Sequence, residues 1–128
     1  MISDKNKIET FRDLLAWQKA HALVLEVYKV TKQFPSEEKF VLVPQIRRSA
    51  SSVPTNIVEG YKKRGQKEFL RFLNMSDGSL EETKYHLILG HDLGYIKSTE
   101  YNRLIQMCNE VGRLLSGLQR SLAANHHE

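Results

Sequence analysis

Glu82 and His86 stand four residues apart and are the first pair whose types could hold a metal ion. A di-iron centre in a helical bundle needs a Glu-x-x-His pair on each of two helices and a Glu from each of the other two. No Glu-x-x-His occurs in this chain. His86 and His91, five apart, fall on different faces of a helix and make a poor ligand pair. Cys108 is the single cysteine, which excludes an intrachain disulfide and a Cys-based zinc cluster. Its place on an apolar line reads as a buried, unreactive thiol. His21 reads as a packing residue at or near the surface. A glycine-rich phosphate loop and a Gly-x-Ser-x-Gly elbow are both missing. The expectation is a protein with no metal, no cofactor and no catalytic residue.

Charge is the chemistry that remains. Nineteen Lys and Arg face fifteen Asp and Glu, a net charge of +4. The excess lies in the first half: residues 36–65 hold six basic residues against three acidic ones. Candidate phosphate ligands are Arg47 and Arg48, then Lys62, Lys63, Arg64, Lys67 and Arg71. Such side chains neutralise phosphates and release counter-ions, giving affinity without sequence choice. Tyr61 beside them could stack on a base, although it also continues an apolar line. The bland alternatives are a solvated loop at Lys62–Arg64 and pairing of Arg48 with Glu59, Glu81 or Glu82. One enzymatic alternative exists. Helical-bundle ribonucleases of the HEPN superfamily carry an Arg followed four to six residues later by a His, and Arg120 and His126 meet that spacing.

Four amphipathic helices must position these residues. The first is expected after Thr10, where Thr10 and Asp13 form a capping-box-like start. Phe11, Leu14, Trp17, Ala20, Val24 and Val27 recur at helical spacing, and Pro35 ends the run. The second is expected from about Pro44 to Lys62, with Ile46, Ala50, Val53, Ile57 and Tyr61 on one line and, because Pro54 falls inside it, a kink or break after Ser52. A polar stripe of Gln45, Arg48, Ser49, Ser52, Asn56 and Glu59 runs beside it. The third starts near Gln66 and keeps its apolar phase through Asp77-Gly78, so it reads as one long helix. In it Ser76, Gly78, Ser79 and Gly90 admit a close neighbour, and Gly94 is a suitable stop. Ser98 or Thr99 caps the fourth, whose stripe runs from Tyr101 to Leu122.

The chain has 128 residues, 41% apolar and 27% charged, which fits one globular domain. Short connections favour an all-α, antiparallel up-down-up-down bundle over residues 10–122, with a flexible start (1–9) and a frayed tail (123–128). No apolar run reaches the ~20 residues needed to span a bilayer, and the polar start lacks a signal-peptide core, so the expected compartment is the cytoplasm.

With the helices placed, Phe11, Leu14, Trp17, Gln18 and Ala20, then Phe34-Pro35, Gln45 to Arg48, Ser52 to Pro54 and Asn56 to Gly60, resemble the bacterial 23S rRNA intervening-sequence proteins. Phe69, Phe72-Leu73, Gly78 to Glu82 and Leu93 to Tyr95 continue the resemblance, which covers about residues 11–118. Val58 and Ser76 depart from a usual Ala, and Pro44 from a usual Ser or Thr cap. The resemblance implies one unbroken third helix and a homo-oligomer, a pentamer of bundles around an axis. It implies no catalytic residues. Some members are encoded within inserts of the large ribosomal RNA gene, an association with RNA. The architecture is also similar to the accessory variability determinant of diversity-generating retroelements, which binds a reverse transcriptase and nucleic acid.

The leading expectation is therefore a non-enzymatic oligomer that binds RNA or DNA through the basic residues named above. The alternative is an oligomeric scaffold for another protein, such as a reverse transcriptase. Gln45, Arg48, Asn56, Glu59, Ser79 and Glu82 would then set the register between subunits.

Overall fold

The computed structural model describes residues 7–126 and, among them, four long helices and no strand. They are α1 (Leu15–Thr31), α2 (Leu42–Lys62), α3 (Gln66–Asp92) and α4 (Ser98–His126). α2 packs on α3, α3 on α4, and α1 closes the bundle against both α2 and α4. Ala20, Leu23, Val27, Ile46, Ala50, Val53, Ile57, Leu73, Leu80, Leu87, Leu104, Val111 and Leu115 are shut off from solvent along the axis. These are the residues at three- and four-residue steps, so the apolar lines of the sequence became the core.

The boundaries hold several corrections. Thr10 and Asp13 do form a capping box, with Asp13 Oδ2 accepting from the backbone N–H of Glu9 (2.8 Å) and Thr10 (3.0 Å). The box closes only a 3-10 turn, Phe11–Asp13. Leu14 is extended at φ −75°, ψ 123°, and α1 begins at Leu15, so Thr10 does not cap the first long helix. The turn lets Phe11 meet Trp17 edge to face, with ring centroids 5.1 Å apart. The second helix begins at Leu42, two residues before Pro44. Pro44 still lies in the first turn, where a missing N–H costs nothing.

Pro54 does not break α2, which runs without interruption to Lys62. The missing N–H leaves the Ala50 carbonyl without its helical donor. Burial of Ala50, Val53, Pro54 and Ile57 on the core side holds the axis together across the site. On the other side, Ser52 Oγ donates to the Arg48 carbonyl (2.9 Å) and Thr55 Oγ1 to the Ser51 carbonyl (2.8 Å). Asp77-Gly78 leaves α3 continuous as expected. Gly94 ends that helix at φ +83°, its N–H on the His91 carbonyl and the Tyr95 N–H on the Gly90 carbonyl, a Schellman arrangement. α4 continues to His126, four residues past Leu122 where the apolar stripe ends. The expectations for residues 1–6 and 127–128 lie outside the described residues, as does the side chain of His126 in the Arg120–His126 pair.

Two of the small residues permit close packing. A Cβ on Gly60 would lie 2.8 Å from Phe72 Cβ and 2.9 Å from Phe69 Cδ1, and one on Gly90 2.9 Å from Ile96 Cδ1. Gly78 differs from expectation: nothing lies within 4 Å of its missing Cβ, so its face is open rather than in contact within the chain. Gly60→Ala is expected to destabilise the fold by about 1–3 kcal/mol, because Phe72 Cβ is anchored to backbone and cannot swing aside. Urea unfolding would show it as a lower midpoint. An unchanged or raised midpoint, from the better helix propensity of Ala, would mean that α2 and α3 can part at no cost.

Candidate functional site

The turn between α2 and α3 is made by residues that refuse to continue the helix. Lys63 turns extended at φ −70°, ψ 152°, and Gly65 takes φ +90°, which a side chain would resist. Lys62, Lys63, Arg64 and Lys67 therefore project at one end of the bundle, all four exposed. No ion pair engages them among the described residues. The carboxylate beside them, Glu68, is claimed by Arg71, whose Nη2 donates to Oε1 at 3.1 Å. The Arg71 hydrogen bond holds the Glu68 carboxyl below its ordinary range, with smaller help from Lys63 and Lys67. The Arg71 guanidinium also lies 4.8 Å from the Phe72 ring, and the Lys63 ammonium 5.3 Å from the same ring. Tyr61 is half-buried against Phe69, edge to face at 6.1 Å.

The two arginines of α2 lie elsewhere. Arg47 precedes Lys62 by fifteen residues, roughly 22 Å along the helix. It is half-buried, with Nε donating to Thr31 Oγ1 (2.9 Å), Nη2 donating to the Tyr28 carbonyl (3.4 Å), and its guanidinium 4.4 Å from the Tyr28 ring. Arg48, one residue on, is exposed and bonded to none of Glu59, Glu81 or Glu82; the buried pairing considered from the sequence does not form.

Gln45, Arg48, Asn56 and Glu59 follow the flank of α2 beside α3, and Ser79 and Glu82 follow the matching flank of α3. Helix geometry at 100° per residue sets Gln45, Asn56 and Ser79 at the seam itself and Arg48, Glu59 and Glu82 further round, toward the outer faces. Ser49 does not belong to that stripe. It is buried under the seam, where Oγ lies 3.2 Å from His86 Nδ1 and accepts from Thr83 Oγ1 at 3.0 Å. Ser76, about two turns from Thr83 toward the basic end, donates to the Val53 carbonyl at 2.8 Å. This buried polar line between α2 and α3 was missed from the sequence, although Thr83 in phase with Leu80 and Leu87 was its signal.

Burial pushes the His86 imidazole below its ordinary 6.5, against a weaker pull upward from Glu82. The folded chain thus prefers the neutral ring. The associated stability is complete above the unfolded value of about 6.5 and falls as pH drops through the lowered folded value. Unfolding midpoints measured between about pH 7.5 and 5 should decline, and His86→Gln should flatten that decline because Gln keeps a hydrogen-bonding group without a proton to gain. An equal decline in the variant would remove His86 from the acid response.

Neither His91 nor Cys108 forms part of a site. His91 stacks on Tyr101 at 4.4 Å. Cys108 is fully buried, and burial pushes its thiol up to about 12. Among the described residues no three His, Cys, Asp or Glu side chains are grouped as a metal ion would need, and no helix is long and apolar enough to cross a membrane.

This arrangement of four helices in order matches a known family over residues 12–117, described as 23S rRNA-intervening sequence protein. The chain belongs to that family. A comparison with curated proteins returns no match. Among solved structures, a protein of unknown function from the S23 ribosomal protein family of Bacteroides thetaiotaomicron VPI-5482 is similar, with a TM-score of 0.77 and 26% sequence identity. The match covers 83% of this chain and 96% of that one.

Proposed function

We propose that this intervening-sequence protein is a non-enzymatic, homo-oligomeric module, a pentamer, that binds RNA or another nucleic acid through its basic surface. The observation that carries the reading is the α2–α3 turn, where Lys62, Lys63, Arg64 and Lys67 are exposed while the adjacent Glu68 is taken up by Arg71. Four cations without carboxylate partners at one end of a bundle suit phosphates. Arg48 adds a separate exposed cation, Arg71 is committed to Glu68, and Arg47 lies on a different face, beside α1.

Assembly is supported by the outer face of α3. Met75, Gly78, Glu82 and Tyr85 recur at three-, four- and three-residue steps, a spacing suited to a second helix. Met75 and Tyr85 on that face are 46% and 58% exposed, and Leu93, just past the end of the helix, is 49% exposed. Five copies would raise a charge of +4 to about +20 and multiply weak contacts through avidity. The family's name associates its members with ribosomal RNA, in agreement with RNA as the polyanion.

A titration of structured RNA at about 50, 150 and 300 mM salt, with the mass of the protein measured in the same buffers, tests the reading. Binding that weakens steeply with salt is the expected result. Absence of binding by an intact oligomer at the lowest salt would overturn it and turn attention to a protein partner.

A further inference from the structure

A second surface, away from the α2–α3 turn, combines rings and cations without carboxylates. On α1, Trp17, His21 and Tyr28, with Lys32 at the helix's C-cap, recur at helical steps along the flank beside α2. The Trp17 and His21 rings are parallel within 6°, centroids 5.1 Å apart, and the Arg12 guanidinium lies 5.5 Å from the Trp17 ring. Trp17 packs against the core and His21 is exposed, so the outer ring of that stack is His21. Two turns further, about 10 Å along the helix, the Tyr28 ring is 41% exposed and rests on Arg47. Arg47 is in turn fixed by Thr31, so the ring and its cation are held in place before any ligand arrives.

Next to Tyr28 is a hollow of about 250 Å³ whose lining includes Lys32, Lys39, Arg47, Thr31 and Ser36 and no carboxylate. The nearby Glu38 is occupied, accepting from Tyr95 Oη (2.8 Å) and from the Leu42 N–H (3.3 Å). The sequence explains why the face is poor in negative charge: no Asp or Glu occurs between Asp13 and Glu26, nor from Lys39 to Val58, and beside Glu38 only the exposed Glu37 stands next to the hollow's lining residues. Asp13 is consumed by the capping box, and Glu26 is bonded to Arg103 of α4 at 2.8 Å. Two larger grooves differ, while a smaller apolar one, lined by Leu14, Leu15, Leu114 and Leu118 with Arg113, offers a single cation. Of the larger two, the one between α3 and α4 sets Asp77 and Glu81 beside Lys84 and Arg113, and the one between α1 and α4 is neutralised by Glu26 and Glu100.

We propose that the α1–α2 face binds single-stranded nucleic acid, with unpaired bases stacking on His21 and Tyr28 and a backbone phosphate in the Lys32–Lys39–Arg47 hollow. The inference rests on the nucleic-acid reading above and gives it a substrate class. Rings reach bases only where these are unstacked, so a duplex would offer this face phosphates alone.

The chain's one tryptophan, Trp17, makes the test direct. The full-length protein is titrated with a U-rich RNA strand, a DNA strand of matching sequence and a blunt duplex of equal length, following tryptophan emission and strand anisotropy. Emission should change with the single strands and stay constant with the duplex. His21→Ala, at an exposed position, should weaken single-strand binding roughly five- to a hundredfold and leave duplex binding unchanged, while His21→Tyr should retain affinity. Tyr28→Leu, checked for folding by circular dichroism, should match His21→Ala. RNA and DNA strands binding alike would assign the affinity to bases and phosphates; stronger RNA binding would add the 2′-hydroxyl to the same face. Unchanged single-strand affinity in both His21→Ala and Tyr28→Leu, with loss in the Lys62/Lys63/Arg64 triple Ala variant, would overturn this surface and leave the turn as the nucleic-acid site. Failure of all three probes to bind at low salt would overturn both readings.

Discussion

Leu80→Ala is expected to lower the unfolding free energy by about 3–5 kcal/mol. Leu80 sits near the middle of α3 with none of its surface in solvent, and its Cδ2 lies 3.5 Å from the position a Cβ on Gly112 would take. The loss has two parts: the transfer energy of the removed methyl groups and the cavity left among neighbours too rigid to close it. Leu73 and Leu87, one helical repeat to either side, are fully buried as well, so the packing around the vacated volume is dense on both sides. A domain of this size has about 5–15 kcal/mol in total, so the variant would retain little. Urea titrations at a fixed protein concentration give the measurement, since assembly couples stability to concentration. A loss below about 1 kcal/mol would mean that α3 and α4 slide together to fill the space.

Replacing Lys62, Lys63 and Arg64 by Ala is expected to weaken nucleic-acid binding by about two orders of magnitude at 0.15 M salt. Three lost phosphate contacts reduce the slope of log affinity against log salt by about 2.7 for a duplex and about 2.1 for a single strand. Extrapolated from about 1 M, where the counter-ion contribution vanishes, those slopes correspond to roughly fifty- to 150-fold at 0.15 M. The three side chains are exposed and make no ion pair among the described residues, so the fold and the mass of the assembly should not change. A reduced affinity with an unchanged slope would mean that the turn acts through something other than phosphate charge. An unchanged affinity would move the contact to Arg48 or to the α1–α2 face.

The capping box at Thr10 shows where local signals carry and where they stop. The hydrogen bonds are those that Thr10 and Asp13 dictate, yet the helix they were expected to start is delayed to Leu15. Four residues can specify a cap, but whether the chain continues straight or turns depends on where Phe11 finds Trp17. Pro54 is the converse case. Its local cost is real, and the burial of Ala50, Val53 and Ile57 around it, with that of Pro54 itself, outweighs that cost. The basic turn was legible because the run of cations from Lys62 to Arg64 marks it in the sequence. Its isolation from Arg47 was not, because distance along a helix and commitment to a partner are properties of the packed pair.

The sequence by itself determined the four helices, the stop at Gly94 and the core lines, since these follow from apolar spacing at 3.6 residues and from the φ only glycine accepts freely. It also determined that negative charge would be scarce along much of α1 and α2. Only the tertiary structure decided that Ser49 lies inside beside Thr83 and His86, that Arg47 is bound to Thr31 and Tyr28, that Gly78 faces open space, and that Lys32, Lys39 and Arg47 share one hollow. The physical reason is angular. Successive residues turn 100° around a helix, so a residue on the flank of an apolar stripe can fall inside or outside, and only the neighbouring helix chooses.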